Sequence, residues 1–219
     1  IYNNKMWGGV SYRLDEGLIL LAGMNVNQDL RIGRAKDDMP VQLIIGDETK
    51  VGPYCVIRED VKIGHGCMLH DHVSIEGATI IGDQNTFHSH SVIGGQSQDL
   101  KYSGEPTHLV IGNQNIFREF VTVNRGTDPG SKTQIGSHGT FLAYSHIAHD
   151  CKIGNNVIIA NNVPLGGHVT IEDNVVIGGN SAVQQFTRIG KMAMIGGMTG
   201  VLHDVIPYGL STGNRNTLN

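Results

Sequence analysis

An all-β chain wound as a parallel β-helix is the fold this sequence predicts, on three observations. The first is a period. From Ile45 every sixth residue is apolar: Ile45, Val51, Ile57, Ile63, Leu69, Ile75, Ile81, Phe87 and Ile93, then Ile111, Phe117 and Val123. From Ile135 the same register runs without exception to Val201. The second is what accompanies those positions. Two residues earlier stands a small or β-branched residue, as at Thr49, Cys55, Val61, Ser145 and Val157. A glycine often follows, as at Gly46, Gly64, Gly82, Gly136 and Gly154. The third is composition: 30 glycines, 5% aromatic and 16% charged residues in 219, a lean and turn-rich chain.

Side chains on a strand alternate faces, so positions i−2 and i point the same way. A restart every six residues demands a turn after each short strand, and the glycine after i is expected to supply it. This is the hexapeptide signature of a parallel β-helix. Three such units closing a triangular coil make about 18 residues, each coil rising roughly 4.8 Å. Periodicity leaves the hand open, and the general crossover rule would favour right-handed connections.

In chain order, residues 1–44 read as short strands such as Leu18–Leu21 among loops. Met6-Trp7-Gly8-Gly9 and the segment from Arg34 to Pro40 are expected to be turns or loops. Residues 45–205 form the β-helix. Two stretches, 94–110 and 124–134, keep register while dropping the apolar marks, as loops extruded from a coil would. Residues 206–219 read as a tail.

The net charge of −4, with no basic run, disfavours nucleic acid as a partner. Cys55, Cys67 and Cys151 lack CxxC spacing and read as core fillers in a reducing compartment, not a disulfide framework or zinc site. The apolar run Gly17–Gly23 is too short to span a bilayer and lacks a signal peptide's basic start.

The period places the candidate chemistry. His149 and Asp150 follow Ile147 at i+2 and i+3, in a turn. Gly167 stands 18 residues beyond His149, with Gln185 beyond it in the same column, and His168 stands over Asp150. His146 projects from the neighbouring flat face. A histidine base, an orienting carboxylate, a second histidine and a glycine N–H in one place suit acyl transfer to a hydroxyl. His70, His72, His88 and His90 flank the same kind of coil, where a column of outward polar residues at a subunit contact accounts for them.

Beyond the repeats, certain stretches resemble the acyl-carrier-protein-dependent UDP-N-acetylglucosamine O-acyltransferases that begin lipid A synthesis. They are Gln98 to Thr107 (QDLKYSGEPT), Val123-Asn124-Arg125-Gly126-Thr127, His146-Ile147-Ala148-His149-Asp150-Cys151 and Leu165-Gly166-Gly167-His168-Val169. Gln185-Phe186, Asp204 to Tyr208 and Gly213-Asn214 extend the match. The resemblance implies a left-handed β-helix and a cytoplasmic homotrimer with sites between subunits. It also implies an acyl chain carried on the phosphopantetheine of acyl carrier protein, a UDP-sugar acceptor, and no cofactor or metal. By it, His149 is the general base on the sugar 3-hydroxyl, Asp150 its orienter and Gly167 the oxyanion donor. Asp99, Lys101, His146, His168, Gln185 and Asn214 would hold the substrates, and Gly197 would leave room for a longer acyl chain. Gln184 and Arg215 stand where the family has histidines, and the family's C-terminal helical domain is absent from these 219 residues. Two other functions fit the scaffold: a γ-carbonic-anhydrase-like metalloenzyme, and a non-catalytic β-helical relative that binds an acyl or nucleotide ligand.

Overall fold

The computed structural model describes residues 43–214, and the backbone of the strands Ser11–Arg13, Leu18–Leu21, Met24–Asn25, Leu30–Lys36, Met39–Ile45 and Thr217–Leu218. Every regular element among these residues is a strand. The strands form three sheets of ten, nine and eleven, and the chain visits them in rotation. Ile57, Ile75, Ile93, Val123, Ile147 and Leu165 are in-register neighbours in the ten-stranded sheet. The expected parallel coil is thus observed, and the sixfold apolar positions are all buried along its axis. Phe87, Phe117 and Phe141 stack there with centroids 5.0 and 4.7 Å apart. Each fully buried residue of this size contributes about 1.5–3 kcal/mol.

The corners differ from expectation in one respect. The residue with positive φ is not the glycine after the apolar position but the residue at i+3, which is rarely glycine: Tyr54, His72, Gln84, Phe120, Asp150, Asn156, His168 and Phe186 all have φ between 55° and 66°. The glycines answer to stacking instead. A Cβ on Gly136 would lie 2.6 Å from the carbonyl oxygen of Gly154 in the next coil.

Where the nine-stranded sheet turns into the eleven-stranded one, side chains close the open N–H at i+2. Asp83, Asn113, Ser137, Asn155 and Asp173 each accept, at 2.6–2.9 Å, from the backbone of the coil before.

The usual 18-residue coil lengthens to 30 and then 24 residues where the two loops leave it. Strands His108–Ile111 and Lys132–Ile135 occupy the ends of the spans read as loops, so the loops proper are 96–107 and 125–131. Near the end the coil shortens to 16 residues. Val205 then pairs with Ile189, and Leu210–Thr212 joins the eleven-stranded sheet. The segment read as a tail is therefore a last coil, hidden from a sixfold count by two missing residues.

At the other end, Leu30–Lys36 and Met39–Ile45 pair antiparallel, so Arg34–Lys36 and Met39-Pro40 are strand, not loop. Pro40 is tolerated because only Ile44 and Ile45 of its strand have a second neighbour. Leu18–Leu21 lies antiparallel on Cys55–Arg58, and Met24–Asn25 on Lys50–Val51. Met6–Gly9 lies outside the described residues.

Candidate active site

The corner between the ten- and nine-stranded sheets carries the candidate chemistry. Asp150, at the positive-φ position, turns its carboxylate back along the chain and accepts a hydrogen bond from His149 Nδ1 at 3.0 Å. Burial opposes ionisation of this carboxyl, but the bonds from His149 and from the Thr127 N–H (3.1 Å) outweigh it and hold it below the ordinary aspartate range. Its own N–H donates to Thr133 Oγ1 at 2.8 Å. An ionised acceptor at Nδ1 puts the proton there and leaves the lone pair on His149 Nε2.

The next coil is shaped to the imidazole. A Cβ on Gly167 would meet His149 Nε2 and Cε1 at 2.4 Å, so the ring lies directly over the glycine. The side chain that follows in this column, Gln185, does not take the Gly167 N–H; among the described residues that N–H has no acceptor. The contrast with the capped corner leaves Gly167 a donor free for an oxyanion. His168 donates its N–H to the His149 carbonyl at 3.0 Å. Its Nε2 lies 3.8 Å from Asp150, its ring edge-on to His149 and stacked on Phe186. His146 Nδ1 pairs with Thr122 Oγ1 at 2.7 Å. Burial, and then the charge of His149, lower its pKa, so it is neutral at pH 7.

A groove of about 720 Å³ runs past these groups, lined by Gln98, Asp99, His146, His149, Gly167 and Gln185 among others. Asp99 reaches it because the first loop is clamped by the second. The guanidinium of Arg125, 8% exposed, donates from Nη1 to Gly94 O at 2.5 Å, and the Arg125 N–H donates to Gly95 O at 2.9 Å. Gly77, at φ +57°, leaves the space this side chain fills, since a Cβ there would lie 2.0 Å from Nη1. Ser97 and Thr127 join hydroxyls across the two loops at 2.6 Å.

A family model described as bacterial transferase hexapeptide (six repeats) matches residues 43–77 and 132–163. An acyl-[acyl-carrier-protein]–UDP-N-acetylglucosamine O-acyltransferase of Anaeromyxobacter sp. (strain K) is 52% identical over 122 residues, 55% of this chain and 48% of that protein. The corresponding protein of Sinorhizobium fredii is 50% identical over 123 residues, 56% of this chain and 46% of its own length. The solved structure of LpxA from Acinetobacter baumannii superposes with a TM-score of 0.78 at 44% identity, over 80% of this chain and 68% of that one. The chain belongs to the UDP-N-acetylglucosamine acyltransferase family.

The Arabidopsis UDP-N-acetylglucosamine acyltransferase gives a TM-score of 0.73 at 40% identity, over 80% of this chain and 69% of that one. The family fold settles the hand that the period left open: the coil is a left-handed parallel β-helix. The chain spans about half the length of the curated relatives it matches.

Of the residues singled out in sequence, the groove brings together His149, Gly167, His146, Asp99 and Gln185, with Asp150 and His168 directly behind. Lys101 is exposed; its N–H donates to Asp99 Oδ1 at 2.9 Å and its carbonyl accepts from Ser103 Oγ at 3.4 Å. Gly197 turns a different corner, beside Gly179, and Asn214 packs its backbone against Gly200 further up the coil. Gln98 and the two loop anchors Arg125 and Thr127 were not singled out, and Gln184, which stands where the family has a histidine, also lines the groove. Arg125-Gly126-Thr127 did lie in a matching stretch, which was the signal available.

Proposed function

We propose that this chain carries the catalytic β-helix of an acyltransferase that moves an (R)-3-hydroxyacyl group from acyl carrier protein to the 3-hydroxyl of UDP-N-acetylglucosamine. The observation that carries the reading is the placement of His149 Nε2 beside the open N–H of Gly167 on one groove, with Asp150 on Nδ1. His149 Nε2 takes the hydroxyl proton as the sugar oxygen attacks the thioester carbonyl. The tetrahedral oxyanion accepts from Gly167 N–H, where a single such donor is worth about 10²–10³ in rate. Collapse expels the pantetheine thiolate, which takes the proton back from the imidazolium, leaving an ester and a free thiol. Asp150 stabilises the imidazolium. Asp99, Gln185 and His146 line the approach of the sugar nucleotide, with His168 behind them and Lys101, exposed on the first loop, also holding substrate.

A homotrimer completes the site in this reading. The outward residues of the eleven-stranded sheet include exposed Ile116, Ile158, Met194 and Leu210, whereas the nine-stranded sheet shows Ile80 among Lys62, Gln134, Lys152 and Arg188. An apolar sheet face of this length is a surface for another copy, and a neighbour supplies Gly197 and Asn214 to the acyl end of the groove. No helix of the described residues is long and apolar enough to cross a membrane. The three cysteines are unpaired and buried, which accords with a cytoplasmic location. Transfer of radiolabelled acyl chain from acyl carrier protein to UDP-N-acetylglucosamine, with chelator-treated protein alongside, tests the reading. Turnover that survives EDTA supports acyl transfer. Carbon dioxide hydration that EDTA abolishes favours the metalloenzyme, and ligand binding without turnover favours the non-catalytic relative.

A further inference from the structure

The corners of the coil follow one backbone rule: the residue at i+3 donates its N–H to the i+2 carbonyl of the coil before. On the active-site corner His168 donates to His149 O and Phe186 to Gly167 O, both at 3.0 Å. The other two corners do the same, as in His72 to Pro53 O at 3.0 Å and Asn156 to Ser137 O at 2.9 Å. Asp150 departs from the rule. The partners in these pairs are 19 residues apart, and 19 residues before Asp150 stands Ser131, the end of the second loop. The Ser131 carbonyl accepts from the His108 N–H of the coil below, at 3.0 Å.

The Asp150 N–H turns instead to a side chain, Thr133 Oγ1, at 2.8 Å. Thr133 is fully buried, two residues before Ile135 on the inner face of the nine-stranded sheet. Its neighbours in that column are Leu109 below and Cys151 above, both buried, so packing alone asks for no hydroxyl here. Thr79, in the same column, uses its hydroxyl on its own turn, donating to Glu76 O at 2.7 Å. Thr133 has a different task, since its oxygen lies where the departing loop removed a rung carbonyl. Deleting that oxygen would orphan an N–H beside a nearly buried carboxylate, and an orphaned buried donor draws its segment toward another acceptor. The segment concerned is the φ +60° corner whose carboxylate accepts from His149 Nδ1 at 3.0 Å and from the Thr127 N–H at 3.1 Å.

We propose that Thr133 is a positioning residue for acyl transfer: its hydroxyl replaces the missing rung, fixes the Asp150 corner, and through that carboxylate aims His149 at the hydroxyl it deprotonates. Thr133 touches neither substrate nor imidazole, and it rests on the reading of His149 as the general base. The coil must open for the loop that brings Thr127 to Asp150, and Thr133 restores the support which that opening removes.

The test compares wild type with Thr133→Val, which keeps the shape and removes the acceptor, and Thr133→Ser, which keeps the acceptor. Valine already fills this column at Val61 and Val169, so the substitution fits the core. Thr133→Cys, whose thiol is a weak acceptor, repeats the test should the valine variant fail to fold. Thr133→Val should lower kcat by about 10–10²-fold, the effect of a small misplacement of the base, with KM little changed; Thr133→Ser should recover most of it. Added to Asp150→Asn, Thr133→Val should cost nothing further, because it acts through that carboxylate. In ¹H–¹⁵N spectra the His149 Nδ1–H, identified by its absence in His149→Ala, should exchange slowly in wild type and Thr133→Ser and be lost in Thr133→Val. Unchanged kcat in Thr133→Val, a serine variant no better than valine, losses that multiply in the double variant, or a His149 signal that survives Thr133→Val would overturn the proposal. The signal is read without substrate. Its loss and return support the positioning role even if wild type transfers no acyl group, an outcome that counts against the proposed function alone.

Discussion

His149 gains its chemistry from two neighbours, one in sequence and one a coil away, and each predicts a different loss. His149→Ala should lower kcat by roughly 10²–10⁴-fold, the range of a positioned acid–base group, with little change in KM. Asp150→Asn should be milder, because it releases the ring without deleting it. Steady-state kinetics on both variants checks the order; near-normal turnover in His149→Ala would sink the mechanism. Gly167→Ala keeps the N–H but places a methyl 2.4 Å from the imidazole, so it too should reduce kcat, by displacing the base. At this scale the sequence was informative wherever residues are 18 apart. His149, Gly167 and Gln185 fall in one column, as do Asp150 and His168, because the coil repeats at that interval. The same arithmetic says nothing about Thr127, which reaches Asp150 from a loop outside the period.

At the scale of the turn and the loop, local backbone rules decide. The corner residue at i+3 adopts a left-handed conformation that costs most residues about 1–2 kcal/mol, and asparagine bears it best. Asn156→Val should therefore lower unfolding free energy by about that amount, whereas Asn156→Gly should change it little; urea titration of the two distinguishes them. The sequence pointed to glycine at the wrong turn position because glycine is the usual sign of positive φ, while here it marks close stacking of coils. Neither the aperiodic loops nor the coil shortened before Val205 could be placed by counting. In the loops, Arg125 is the anchor. Arg125→Ala removes a charged donor from Gly94 O and should loosen residues 96–107, raising KM for the sugar nucleotide about tenfold or more with a smaller effect on kcat. Faster amide exchange confined to that loop is the second readout. An unchanged KM with unchanged exchange would show that the clamp is dispensable.

Across the whole molecule, two half-buried histidines set the response to acid. His146 and His88 both sit below the ordinary histidine range, burial being the main cause in each. The unfolded chain then binds protons that the folded chain refuses. Stability is fully present above about pH 6.5 and lost as pH falls below it. Asp150, held low, adds a loss in the same direction at more acid pH. The exposed His65, raised by its bond to Asp47, opposes weakly. Melting temperature should be flat from pH 8 to 7 and decline from 6.5 to 5; a rise over that interval would contradict the burial assigned to His146 and His88.

The three antiparallel pairings at the start of the coil bear on the protein's fate in a concentrated solution. A parallel solenoid has no intrinsic last rung, and its bare end is a template for the next chain to add to, as in a growing fibril. Here all three sheets reverse strand direction at that end, in Leu18–Leu21, Met24–Asn25 and Leu30–Lys36. A copy arriving with its coils in the parallel sense meets reversed strands at the edges of two of the three sheets, and on the third it meets a hairpin, Ser11–Arg13 folded back on Leu18–Leu21, in place of a coil. Excision of residues 1–38 should accordingly turn a protein of finite size into one that lengthens end to end, visible as filaments and as light scattering that climbs with concentration.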